Sequence, residues 1–164
     1  MEAYSAANWG DFFVAEVGAA AALTGLIFVA VSINLTKVLQ FPQLPRRAAE
    51  SLIMLMATLF VAAAGLIPGQ PRAVFGAEIL LVALACWIFP MMLQRRDAHL
   101  PDTRPSWVVI RALTHQVAVL PLVVGGASIV AGAGGGLYWL VPGTLFSLST
   151  GLINAWVLLV EIQR

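Results

Sequence analysis

The sequence predicts an all-α integral membrane bundle of five transmembrane helices, on three observations. Apolar residues make up 60% of the chain and charged residues 10%, with a mean hydropathy of +0.91, far from the ~25% charge of soluble domains. Val17–Thr36 is a run of 20 residues without a charge, the length that crosses ~30 Å of hydrocarbon. The other apolar runs are separated by short links rich in Pro, Gly or Arg, which leave no room for an extramembrane domain. Residues 1–164 are therefore expected to form one helical domain whose main partner is the lipid bilayer.

The first span is expected at about 9–38. Asn8-Trp9-Gly10-Asp11 has the form of a helix start, with Asn8 as cap and an acid three residues on. Trp9 and Tyr4 suit the membrane–water interface. At ~1.5 Å per residue such a helix is about 45 Å long, so its first turns lie among headgroups. The opening MEAYSAANWGD has acids and no Lys or Arg, unlike the basic start of a signal peptide, so the first span is expected to be retained. Pro42 and Pro45 are expected to end it and to confine 40–47 to a short basic turn. The second span follows at about 48–67, stopped by Pro68-Gly69-Gln70-Pro71. The third, at about 74–93, is interrupted only by Glu78, and Pro90 should bend its last turn.

A hydrophilic link, 94–106, holds Arg95, Arg96, Asp97, His99, Asp102 and Arg104, with Pro101 and Pro105 opposing continuous helix. Ser106 is the expected cap of the fourth span, about 107–132, which Pro121 should kink. Gly132–Gly136 is expected as a hairpin turn, having neither the strand, the register nor the Lys of a phosphate loop. The fifth span is expected at about 137–160, with Pro142 tolerated in its first turn.

Charge placement decides between five spans and four. With five spans and the N-terminus outside, Lys37, Arg46, Arg47, Arg95, Arg96, Arg104, Arg111 and Arg164 are cytoplasmic and Arg72 alone is outside, 8 against 1 of the 9 basic residues. Removing the third span gives at best 6 against 3 of those 9. The positive-inside rule thus favours five spans, N-terminus out and C-terminus in. The basic residues are few and sit at helix ends, which excludes a nucleic-acid surface. Cys86 is the single cysteine, so no internal disulfide or redox pair forms. Thr-Gly-Leu-Ile occurs at 24–27 and 150–153, but an odd number of spans does not suit a simple inverted repeat.

The opening stretch, Asp11-Phe12-Phe13-Val14 followed by Gly18 and the alanine-rich run through Thr24, Gly25 and Phe28 to Asn34 and Leu35, resembles the start of a family of small bacterial membrane proteins. Some members of that family carry a label as modulators of the membrane protease FtsH. The resemblance covers roughly 9–36. It implies a bacterial inner-membrane protein and brings no catalytic motif with it.

Several polar residues inside the spans are candidates for chemistry. Glu78 is the sharpest, because the uncharged run after it, 79–93, is only 15 residues, so a third span must carry it into the outer leaflet. A carboxylate there costs on the order of 2.5–3.5 kcal/mol and usually faces a partner or a wet cavity. It reads as a proton or cation ligand, or as a boundary residue paired with Arg72. Glu16 lies at the same expected level and reads as a second carboxylate of that site, or as an interfacial group. His115 is two turns into the fourth span and reads as a relay or as a hydrogen-bonded packing residue. Thr144, Ser147, Gly151 and Asn154 share a face of the fifth span, for pore lining or helix packing. Gly18, Ala22, Gly25, Ser32 and Thr36, interrupted by Val29, form a small-residue face on the first. Arg111 and Glu161 are placed to pair at the cytoplasmic boundary.

No nucleophile elbow, zincin motif or clustered ligand set occurs, so neither enzyme activity, metal nor cofactor is expected. The function these features favour is non-enzymatic association through helix–helix contacts, as a homo-oligomer or an accessory subunit of another membrane protein. The competing reading is a small homo-oligomeric ion channel or proton-linked transporter with Glu78 as its ion site.

Overall fold

The computed structural model describes residues 2–40, 43–97 and 105–163, and within them the side chains other than those of 2, 43, 96–97, 105–107, 154 and 157–163. All regular structure among the described residues is helical. Two short 3-10 turns, Glu2–Tyr4 and Ala6–Asn8, precede α1 (Gly10–Ile33) and α2 (Leu35–Gln40). Then come α3 (Gln43–Gly65), α4 (Arg72–Asp97), α5 (Pro105–Ala131), a 3-10 turn at Gly136–Trp139 and α6 (Leu140–Gln163). Five of these, α1, α3, α4, α5 and α6, contain stretches long and apolar enough to cross a membrane. By helix length and composition this is a multi-pass membrane protein.

The helix ends depart from the sequence expectation: α4 continues to Asp97, into the expected link, α6 starts at Leu140 behind a 3-10 turn, and four further departures have local causes. The first span breaks at Asn34, whose side-chain amide donates to the Ala30 carbonyl at 3.0 Å. That is the acceptor its own backbone N–H would use in an unbroken helix, so the side chain displaces the ladder, and α2 restarts with Val38 N–H on the Asn34 carbonyl. At the other end of α1, Trp9 rather than Asn8 is the cap, and it makes no side-chain cap bond. Pro45 does not hold the connection open. It sits in the first turn of α3, where its missing N–H has no intrahelical acceptor to lose. Pro105 likewise opens α5, so Ser106 lies inside the helix rather than capping it. Pro42 and the 98–104 part of the hydrophilic link lie outside the described residues.

α3 is the most buried span and α1 the least. α3 packs against α1, α4 and α6, while α5 packs against α4 and α6. α1 rests on α3 and touches α6 only sparsely. The main core joins Phe13, Val61, Phe75, Ile79, Leu122 and Leu140, and a second cluster joins Met54, Ala57, Cys86, Ala118 and Val119. Two glycines set the α4–α5 crossing. A Cβ on Gly76 would stand 2.9 Å from the Val130 backbone nitrogen, and one on Gly126 would stand 2.9 Å from that of Leu80. Outward positions are apolar along whole helices, including Leu26, Phe28, Ile33, Leu81 and Trp156. Such a surface suits hydrocarbon and would be an aggregation liability in water.

The end of the bundle where α1 begins is closed by aromatic and turn contacts. Trp9 meets Phe12 and Tyr138 edge to face, and Phe13 meets Phe75. α5 stops at Gly132, whose φ of +71° suits glycine, and both Gly132 and Ala133 N–H groups return to the Ser128 carbonyl, a helix stop of Schellman type. Ser128 Oγ donates to the Ala133 carbonyl and accepts from Gly136 N–H at 2.7 Å. Tyr4 Oη accepts the Gly135 N–H at 3.1 Å, tying the N-terminal segment to this turn.

Candidate functional site

Two buried polar clusters lie inside the bundle, one near each end. The first joins α1 to α6. Glu16 is 4% exposed and Thr144 is 1% exposed. The Thr144 hydroxyl donates toward Glu16 Oε1 at 3.2 Å and toward the Leu140 carbonyl, one turn back, at 2.9 Å. The Val141 carbonyl lies within reach as well, at 3.3 Å, so one hydroxyl proton faces three acceptors. Glu16 Oε2 is buried without a hydrogen-bond partner. An unsatisfied buried oxygen costs ~1–3 kcal/mol, and more when charged. Ser147, one turn further along α6, is fully buried, and its Oγ also lacks a partner.

The second cluster draws on four helices. Arg111 Nε of α5 donates to Glu50 Oε2 of α3 at 2.7 Å. Beside the pair lies a cavity of about 10 Å³ lined by Gln94 of α4, Thr114 and His115 of α5 and Thr150 of α6, room for a single water. His115 is 4% exposed. The His115 imidazole donates one hydrogen bond to the Trp87 main-chain carbonyl, and Nε2 is left without a partner.

The sequence-predicted residues are thus redistributed. Glu16 is buried on the seam between α1 and α6. Glu78 is partly exposed and accepts Gln70 Nε2 at 2.6 Å. The Arg72 guanidinium lies against Gly132 instead. Glu16 and Glu78 are on different seams, the one bonded to Thr144 and the other to Gln70. Thr144 and Ser147 are buried on α6, whereas the Asn154 and Glu161 side chains lie outside the described residues. Sequence reasoning missed Glu50, which lies three residues into the second expected span. The signal was present: Glu50 and Arg111 are opposite charges at one depth in the five-span topology. Among the described residues, no group of three or more His, Cys, Asp or Glu side chains comes together to hold a metal.

The small-residue face of α1 points away from the bundle. Gly18, Ala22, Gly25, Ser32 and Thr36 are all exposed, as is the interrupting Val29. A Cβ on Gly18 or Gly25 would meet nothing within 4 Å. The glycines at 65, 76, 126, 143 and 151 are instead packed against neighbouring helices. Comparison with protein-family models, with curated proteins and with solved structures finds no match to this chain.

Proposed function

We propose that this is a non-enzymatic membrane protein that works by lateral association, docking the small-residue face of α1 onto a helix of a second copy. The observation that carries this reading is the open face at Gly18, Ala22 and Gly25. Elsewhere in the spans, glycines serve close helix approach within the chain; on α1 the same device has no partner among the described residues. In hydrocarbon there is little hydrophobic drive for helices to meet, so association depends on close packing, which small residues spaced three or four apart permit. Exposed Ser32, whose hydroxyl already donates to the Phe28 carbonyl, adds little to such a contact.

The orientation belongs to this reading: N-terminus outside, C-terminus cytoplasmic, from the charge asymmetry. So does location in a bacterial inner membrane, which the resemblance of the opening stretch implies. The test is energy transfer between labelled copies in liposomes, at several protein-to-lipid ratios. Wild type should associate, and Gly18→Leu with Gly25→Leu should abolish transfer while leaving the helical circular dichroism unchanged. Transfer that survives the double substitution would remove α1 as the interface. No transfer in the wild type at any ratio would remove self-association and leave a different membrane protein as the partner.

A further inference from the structure

We infer that the two buried clusters are ends of one proton track, by which Glu16 exchanges its proton with the end of the bundle that holds Glu50, Arg111 and His115. The track follows α6. Thr144 contacts Glu16, Thr150 lines the cavity beside His115, and Ser147 stands midway. Three residues of helix advance ~4.5 Å and turn a side chain back by ~60°. The row 144, 147, 150 therefore covers ~9 Å and winds from the α1 seam toward α5. Neighbouring members have Cβ atoms ~5–6 Å apart, a step that one bridging water covers.

Glu16 Oε2, Ser147 Oγ and His115 Nε2, on the inferred row and at its two ends, are buried and without a partner, as is Trp87 Nε1 of α4. Each orphan in a low-dielectric interior is costly, and the three of the row call for a shared cause. A chain of waters and hydroxyls satisfies those three. A proton leaves imidazolium Nε2; each water or hydroxyl accepts one proton and releases its own; the last goes to the Glu16 carboxylate, and no other bond changes. The hydrogen bonds at Thr144 fit this end state. A protonated Glu16 donates to Thr144 Oγ1, which is then free to donate to the Leu140 or Val141 carbonyl, whereas a carboxylate competes with those carbonyls for one proton.

The charged and titratable groups facing the track are Glu16 from α1, Glu50 from α3, and Arg111 and His115 from α5. α4 offers Gln94 and Trp87, and its Cys86 thiol donates to the Ile53 carbonyl at 3.8 Å on the α3–α4 seam. One turn before Glu16 on α1, Phe13 is buried and meets the buried Phe75, and the track is accordingly inferred to be a dead end rather than a through-pore.

The test is infrared difference spectroscopy of the protein in lipid bilayers after a pH jump. The expected result is a buried carboxyl C=O band that shifts in D2O, is lost in Glu16→Gln and moves in Glu16→Asp. It should rise several-fold more slowly in Ser147→Ala and in the isosteric Thr150→Val. Ser147→Ala removes an oxygen that bonds no protein group, so a folding defect would not explain its slowing. No Glu16 band at any pH, or unchanged rates in both α6 variants, would overturn the inference. A sustained proton current through wild-type liposomes would overturn the dead end.

Discussion

Glu50 and Arg111 show what a buried pair does at the scale of single residues. Both groups were taken from water into a helical interior, and their mutual attraction offsets that cost only while both are present. Glu50→Leu alone should lower stability by about 3–5 kcal/mol, read by denaturant unfolding in mixed micelles. Glu50→Leu combined with Arg111→Met should recover most of that loss. A double variant as weak as the single one would mean that the pair contributes more than mutual neutralisation. Glycine gives the complementary case. At Gly126 an added methyl would press on the Leu80 backbone, which cannot step aside, so Gly126→Ala should cost about 1–3 kcal/mol by overpacking. Gly25→Ala meets open space and should raise monomer stability by up to about 1 kcal/mol through helix propensity. The same melting assay checks both.

At the scale of elements, the five spans were legible because each is a long apolar run with few charges, bounded by Pro, Gly or Arg, and the placement of the basic residues kept the third span despite Glu78. Their ends were not, because proline is compatible with a first turn as well as with a break. Pro45 and Pro105 were read as breakers and serve as helix starts. The break at Asn34 depends on one side chain reaching the Ala30 carbonyl, which composition does not reveal. Asn34→Leu should therefore join α1 and α2 into one helix, seen as slower amide exchange across residues 33–38. Exchange as fast as in wild type would place the cause of the break elsewhere. The candidate site was less legible than the fold for a related reason. Depth along a span follows from counting residues, but the seam a side chain faces depends on how neighbouring helices are rotated. Glu16 and Glu78 share an expected depth and not a seam; Glu50 and Arg111 meet on one seam.

For the whole molecule, stability is unevenly distributed. α3 is held on three sides, and α1 is held mainly by α3. The Tyr4–Gly135 bond and the Trp9–Tyr138 contact fasten the N-terminal segment to the α5–α6 turn. Tyr4→Phe removes a single hydrogen bond and should cost ~1 kcal/mol, with faster exchange at Gly135 as its local signature. Unchanged exchange there would mean the bond adds no protection. Cys86, meanwhile, is the chain's single thiol and is buried on the α3–α4 seam. That makes it a native clock for the bundle. A membrane-permeant maleimide can react only while the α3–α4 seam is parted, so the labelling half-time of the unmodified protein measures how often the seam opens. No engineered probe is needed to follow that breathing in a living membrane.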